Sequence, residues 1–391
     1  MDALNDDCHL LIIRHLNIID QFSLFEATKE EPTCRLSSNV RYTWQHQQSF
    51  TLDFSHFLSF EEKPGLLDDF LSIISPTVKE LDLHFVTLDY LKRWRPYKFP
   101  QVLSLKYTLN DDDAESNGNL VILLIAELFP RLTNLKAYGV FDCIHLDSLM
   151  YLRKLDMSEC WSLTHRYECE QMGELKMLEE LIIPNQGFEM GLCESIMRLP
   201  KLQTLTYNMN CDQIGFVSGM RAKDIERITF NDSIWEFRLP ALQSLINLRQ
   251  LSLLEDDGFT SNQLQELIAA LPRLERLDLI NFQLWRFEID LWETVACCPS
   301  LKILNISSMQ LYADFFYINR RPMEKVLDMR STPLTLHCHD TGENEHLIRL
   351  YFKHPKLKVL FEPLNIHYID CNSVEIHFLP FVMSTNEEKA I

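Results

Sequence analysis

Glycine is scarce in this sequence, with 10 residues among 391. Phosphate-binding loops need closely spaced glycines, because the backbone must approach the phosphate groups. The sequence contains no G-x-G-x-x-G, no Walker phosphate loop and no G-x-S-x-G motif. No other constellation of residues points to catalysis, so we expect a binding protein rather than an enzyme.

Basic residues are also few: the sequence has 37 Lys and Arg against 56 Asp and Glu, and the formal net charge is -19. Affinity for nucleic acid depends on Lys and Arg that neutralise phosphates. A strongly acidic chain is repelled by nucleic acid and by anionic membranes alike. We therefore expect neither as a partner, whereas a basic protein partner would be favoured.

Export signals and long apolar runs are absent as well. The opening MDALNDDCHLL has no basic segment before its apolar residues, and the longest apolar run, residues 120–129, is too short to cross a bilayer. Eleven irregularly spaced cysteines then suggest reduced thiols in the cytoplasm and/or the nucleus. Cys297–Cys298 and His337–Cys338–His339 lack the paired ligands that structural zinc needs, so we expect no metal and no cofactor.

What the sequence does contain is a repeat: apolar, two residues, apolar, one residue, apolar. Its copies recur about every 25 residues, within the period typical of leucine-rich repeats. The alternation predicts a short strand with one buried face, and intervening segments such as residues 262–271 have helical periodicity. The central anchors are Leu81, Leu105, Leu135, Leu155, Leu181, Leu205, Ile228, Leu251, Leu277 and Leu304.

Further predictions concern the end of the array, the acidic insertion and the residue beside one anchor. Residues 323–329, 357–362 and 374–378 look like degenerate strands near the end of the array, where terminal repeats are usually atypical. The acidic insertion at 110–119 is expected to be a solvated loop. Beside the buried anchor Leu277, Asp278 should point out of the strand and tolerate substitution.

Residues 1–47 lack the repeat and suggest three short helices. Asn5 with the following acidic pair suits the start of the first helix, and Asp20 suits the start of the second. In the third, Leu36, Val40 and Trp44 recur every four residues on one face.

This segment resembles an F-box, and residues 152–165 resemble the cysteine-containing subclass of leucine-rich repeats. The matching F-box positions are Leu4, Asp6, Asp7, Leu10, Ile13, Leu16, Asp20, Phe22, Leu24 and Trp44. The resemblance implies a substrate receptor of a Skp–cullin–F-box ubiquitin ligase. Such a receptor binds the Skp-type adaptor, and through it a cullin, and makes no covalent bond itself. The implied adaptor-binding residues are Leu4, Leu10, Ile13, Leu16 and Phe22.

The predicted architecture is α/β: a leucine-rich-repeat solenoid, with a curved parallel sheet and outer helices, over residues 48–378. It follows an F-box-like helical domain at 1–47 and precedes a flexible tail at 379–391. The alternative keeps this fold but treats the first helices as a cap, and the protein as an interaction scaffold with no ligase role.

The predicted substrate surface follows from the period-2 geometry of the strands. Apolar residues at outward positions in the later repeats form the candidate contact, and they are Ile182, Leu254, Ile280 and Ile303. Charged residues take these positions earlier, as Asp82, Lys106, Lys136 and Asp156, and would steer a partner. In the alternative, the C-terminal segment folds back and buries the apolar set. The sequence does not identify the substrate.

Overall fold

A computed structural model of the chain forms two compact units, Met1–Pro200 and Lys201–Ile391. Both have an α/β architecture in which mostly parallel strands alternate with helices. The residues that the structure describes are 5–31, 34–109, 111–164, 171–183, 190–208, 221–231, 239–254, 260–281, 290–309, 311, 313–341, 344–364, 369 and 372–379.

The first unit begins with three helices, α1 (Asp6–His15), α2 (Ile18–Thr28) and α3 (Arg35–His46). Asn5 caps α1 as predicted, because its side chain accepts a hydrogen bond from the Cys8 amide at 2.9 Å. The predicted start of α2 at Asp20 is wrong. Asn17 caps that helix instead, accepting from the Asp20 amide at 2.8 Å, and Asp20 lies in the first turn.

A buried glutamine joins the three helices. Gln21 is 4% exposed, and its Nε2 donates to the carbonyl oxygens of Ile13 and Leu16, each at 3.0 Å. Its Oε1 accepts from Nε1 of the fully buried Trp44 at 2.8 Å. One α2 side chain thus satisfies polar groups at the end of α1 and in α3, which fixes the crossing of the helices.

Six parallel strands follow in chain order in the first unit. They are β1 (Ser49–Leu52), β2 (Glu80–Val86), β3 (Ser104–Leu109), β4 (Asn134–Asp142), β5 (Lys154–Thr164) and β6 (Glu180–Ile182). The helices after them are α4 (Phe54–Glu62), α5 (Pro64–Ile74), α6 (Leu88–Arg93), α7 (Asp111–Leu128) and α8 (Met190–Met197). Phe22 of α2 packs against Phe60 and Phe70 at ring distances of 5.1 and 5.2 Å, so the first helices share a core with α4 and α5.

The predicted loop at 110–119 is wrong, because α7 begins at Asp111. The helix formed by the apolar residues that follow extends back through the acidic segment. An acidic sequence is compatible with the first turns of a helix, where the N-terminus carries partial positive charge.

The second unit continues the alternation of strands and helices. Its strands are β7 (Thr204–Asn208), β8 (Ile225–Asn231), β9 (Gln250–Leu253), β10 (Arg276–Leu279), β11 (Ile303–Asn305), β12 (Leu334–His337), β13 (Leu357–Leu360) and β14 (Ser373–Phe378). Its helices are α9 (Leu239–Gln243), α10 (Ser261–Ala269), α11 (Asp290–Cys297), α12 (Ala313–Met329) and α13 (Glu345–Tyr351). From β8 to β13 the strands are parallel and in chain order.

The last strand of this unit does not follow the chain order in the sheet. β14 lies between β7 and β8 and is antiparallel to both, with Ile376 opposite Leu205 on one side and Ile228 on the other. The prediction of strands at 357–362 and 374–378 is therefore confirmed. The prediction of a strand at 323–329 is wrong, because these residues form the end of α12.

The predicted anchors belong to the core of both units, and all ten are at most 2% exposed. Leu81 to Leu181 stand opposite one another in neighbouring strands of the first unit. Ile228 to Leu304 do the same in the second unit, whereas Ile376 of β14 stands between Leu205 and Ile228. Burial of these apolar side chains stabilises both units.

Candidate protein-binding surfaces

The outer face of α1 carries two exposed apolar side chains, Leu11 at 60% and Ile12 at 40% exposure. They are neighbours in the run LLII, where the period of the helix turns the flanking Ile13 inward. Neither was predicted from the sequence, because the predicted residues Leu10, Ile13 and Leu16 came from the F-box resemblance and not from the face that the helix exposes. The orientation of each residue depends on where the helix packs against α3.

The five predicted adaptor-binding residues fall into three groups. Leu10 and Leu16 are half-buried at the edge of the α1 face. Ile13 and Phe22 are 1% and 2% exposed and belong to the core of the helical cluster. Leu4 lies outside the described residues. Of the four predicted residues that the structure describes, only Leu10 and Leu16 offer surface to a partner.

A row of charged residues crosses the first unit's sheet. Asp82, Lys106, Lys136 and Asp156 stand opposite one another in β2 to β5. Lys106 is exposed, and Asp82 and Lys136 are half-buried. The positions predicted to present charge therefore do so, except that Asp156 is 9% exposed and accepts hydrogen bonds from the Ser158 amide and hydroxyl.

Neighbouring groups hold Lys136 in this row. Its Nζ lies 3.4 Å from an Asp156 carboxylate oxygen and 5.1 Å from the centre of the Tyr138 ring. Burial disfavours the charged form of Lys136, but Asp156 and Tyr138 outweigh that effect and raise its pKa. The row therefore presents fixed, partly hydrated side chains of positive and negative charge, which suit polar contacts with a protein.

The same row in the second unit is buried. Ser252, Asp278, Asn305 and His337 stand opposite one another in β9 to β12 and are 1%, 0%, 0% and 7% exposed. The expectation that Asp278 points to solvent is therefore wrong. Its carboxylate accepts from the Ser252 hydroxyl at 2.7 Å, from Arg276 Nε at 2.9 Å and from Asn305 Nδ2 at 3.1 Å.

His337 ends this row in β12. Burial, reinforced by Arg276, lowers the pKa of His337, although Asp278 and Glu362 act in the opposite direction. Its Nδ1 has no hydrogen-bond partner among the described residues. The imidazole is therefore held neutral, and the row contains one compensated charge pair, Arg276 with Asp278.

The apolar residues predicted to contact a substrate are mostly covered. Leu254 and Ile280 are 2% and 3% exposed, whereas Ile182 and Ile303 are half-buried. An exposed apolar patch at Leu254 and Ile280 is therefore not present. The alternative, in which the C-terminal segment folds back and buries the apolar set, stays a prediction. The prediction for Leu254 and Ile280 failed because alternation along a strand shows which residues share a side of the sheet. It does not show whether that side faces solvent.

The histidines, cysteines and carboxylates bear on catalysis and metal binding. Among the described residues no cluster of three or more His, Cys, Asp or Glu could hold a metal ion. Burial raises the pKa of the Cys160 thiol to about 12. Burial also raises the pKa of the Cys298 thiol above its usual range, so both thiols stay protonated and unreactive. No helix in the described part of the chain is long and apolar enough to cross a membrane.

No protein-family model matches this sequence, and no curated protein matches it. Function is therefore inferred from the residues and their geometry.

Proposed function

We propose that this protein is an F-box and leucine-rich-repeat substrate receptor of a Skp–cullin–F-box ubiquitin ligase. The N-terminal helices would bind the Skp-type adaptor, and the strand and helix repeats, arranged as a solenoid, would hold a target protein. The receptor itself would be non-catalytic and would act in the cytoplasm or the nucleus.

The single observation that carries the proposal is the exposed pair of neighbouring apolar side chains, Leu11 and Ile12, on α1, whose inner face is packed through His9 and Ile13. The three short helices are joined through Gln21 and share a core with α4 and α5, with Ile13, Phe22 and Trp44 inside. Neighbouring apolar side chains that remain exposed on such a cluster mark a surface for a partner. Its position directly before the repeats matches the order of an F-box receptor.

The charged row of the first unit supports a role in target binding. Asp82, Lys106 and Lys136 are accessible, and the ring of Tyr138 lies beside Lys136. Charges of both signs on a rigid sheet favour register and selectivity over raw affinity. We therefore place the first target contacts on this row.

Copurification tests the proposal most directly. The full chain, expressed with a tag in human cells, should recover the Skp-type adaptor and a cullin. Changing Leu11 and Ile12 together to Asp should abolish that recovery without lowering the melting temperature, because both side chains already face solvent. Changing the exposed Leu350 of α13 to Asp is the matched control and should leave recovery intact. Failure of the unchanged chain to recover the adaptor would overturn the proposal.

An interaction scaffold with no ligase role is the second candidate. The observation that favours it is the burial of Ile13 and Phe22, which is what a helical cap on the repeats requires. Ile13→Asp would unfold the cluster under either hypothesis, so it does not separate them. The Leu11 and Ile12 pair does, since a cap would not need either side chain for a partner.

A further inference from the structure

A groove of about 380 Å³ lies in the first unit between α4 and the segment that joins β2 to α6. We call it the Phe85 groove, and its lining residues are Phe54, Phe57, Leu58, Glu61, Phe85, Thr87 and Tyr90. It is separate from the outer face of α1 and from the charged row. The volume is large enough for one or two large side chains of a protein partner.

The rim of the groove is unusually apolar for a surface. Phe54, Leu58 and Phe85 are 60%, 42% and 55% exposed. Phe54, Leu58 and Glu61 recur at the spacing of one helix face, with Phe57 buried at the inner edge of that face. Exposed aromatic residues around a concavity are the composition of interface hot spots.

The backbone at Phe85 is strained in a way that holds its ring outward. Its φ is +60°, in the left-handed region that a bulky residue seldom adopts. The pairing of β2 with β3 shifts register between Leu83 and Val86, so Phe85 lies in a β-bulge. A bulge re-aims side chains, and strain of this kind tends to occur at binding sites. A glycine here would relieve the strain, yet the position holds a phenylalanine.

The floor of the groove is fixed and acidic. The Tyr90 hydroxyl donates to the Phe57 carbonyl at 2.8 Å, and the two rings are 4.9 Å apart. Burial, together with the carboxylate of Glu61, raises the pKa of Tyr90 to about 12. Glu61 is exposed, and its carboxylate also interacts with the Tyr90 hydroxyl, while the Arg93 guanidinium lies 5.4 Å from the centre of the Tyr90 ring. A cation of a partner would therefore meet an available carboxylate beside aromatic rings.

We propose that the Phe85 groove binds a segment of a partner protein that presents a bulky apolar side chain next to a Lys or Arg. The apolar side chain would enter between Phe54 and Phe85, and the cation would pair with Glu61. The net charge of the whole chain, -19, favours a basic segment over an acidic one. This inference does not depend on adaptor binding, because none of its residues lies on α1.

Selection from a displayed library of random peptides tests the groove on the full-length protein. The expected result is enrichment of peptides in which Leu, Phe or Trp adjoins Lys or Arg. Phe85→Gly should weaken the best peptide at least tenfold while leaving the melting temperature equal or higher, since glycine accepts the left-handed conformation. Met150→Ala removes an exposed apolar side chain elsewhere in the same unit and should have no effect.

Charge reversal gives the sharper arm of the experiment. Glu61→Lys should weaken the same peptide at least tenfold, and a peptide whose cation is changed to Glu should bind Glu61→Lys better than it binds the unchanged protein. Several outcomes would overturn the proposal: no enrichment, enrichment of acidic or uncharged sequences, or binding that ignores both Phe85→Gly and Glu61→Lys. Restored affinity in the reversed pair would tie the cation to Glu61.

Discussion

Asp278 shows how one residue changes meaning between sequence and structure. Its position beside the anchor Leu277 suggests an outward, replaceable carboxylate, yet it is fully buried and accepts hydrogen bonds from Ser252, Arg276 and Asn305. A buried charge of this kind is tolerated only when paired and fully hydrogen-bonded. Asp278 is therefore a structural residue of the second unit.

Replacing Asp278 with Ala should destabilise the second unit strongly. The change leaves the Arg276 guanidinium and two neighbouring polar groups without their acceptor, which typically costs about 3 kcal/mol or more. The free energy of unfolding, followed by hydrogen exchange of the β10 amides, measures the loss.

The matched control is Asp82→Ala in the corresponding row of the first unit. Asp82 is half-buried and its main partner is His84, with 3.1 Å between the carboxylate oxygen and Nε2. Such a partly hydrated pair contributes about 1 kcal/mol or less. Similar losses at Asp82 and Asp278 would contradict the structural role assigned to Asp278.

At the scale of elements, β14 is the feature that local patterns could not place. Residues 374–378 are correctly predicted as a strand from their alternation, but their neighbours are β7 and β8, which precede them by well over a hundred residues. The prediction at 323–329 failed for a related reason. The pattern MEKVLDM is compatible with either a strand or a helix, and only its continuity with the rest of α12 decides.

Several contacts hold β14 in place. Asn231 Nδ2 donates to the Ile369 carbonyl at 2.6 Å, and the Asn372 amide donates to the Asn231 carbonyl at 2.8 Å. At the other end the Arg221 guanidinium lies 4.1 Å from the centre of the Phe378 ring. Because β14 lies between β7 and β8, its backbone is the hydrogen-bond partner of both strands.

Ile376→Asp should displace β14. The side chain of Ile376 is 1% exposed, and a carboxylate in its place would be buried without a partner. Amides of β7 and β8 should then lose protection from hydrogen exchange by at least tenfold, while β12 amides keep theirs. His377→Ala, at a half-buried position of the same strand, should change protection much less. Uniform loss across the unit would mean that β14 is not a separable element.

At the scale of the whole molecule, the sequence predicted the repeat but not which faces are covered. The ten anchors are buried as expected, because their periodicity is local and the hydrophobic effect acts on each of them alike. From the alternation of the strands alone, Leu254 and Ile280 would be exposed contact residues. Long-range packing instead buries both of them in the core. The Phe85 groove was invisible for the same reason, since a bulge and a left-handed residue have no sequence signal here.

The charge of the whole molecule predicts how a basic partner would bind. With a net charge of -19, long-range attraction should speed the association of a basic peptide with the Phe85 groove, and salt should screen that attraction over roughly 10 Å at 0.1 M. The association rate should therefore fall severalfold between 50 and 500 mM NaCl, roughly the behaviour of steered complexes. Dissociation should change less, because contacts with Phe54 and Phe85 are apolar and short-ranged.

The variant Glu61→Gln separates the long-range electrostatic field of the whole chain from the short-range ion pair between Glu61 and the partner's cation. One charge among many hardly alters the long-range field, so the salt dependence of association should survive in this variant. Its dissociation should be faster, because the partner's cation loses its carboxylate at short range. Stopped-flow measurement of both rates across the salt series distinguishes the two effects. If Glu61→Gln abolished the salt dependence of association while leaving dissociation unchanged, the steering would come from Glu61 itself rather than from the acidic chain as a whole.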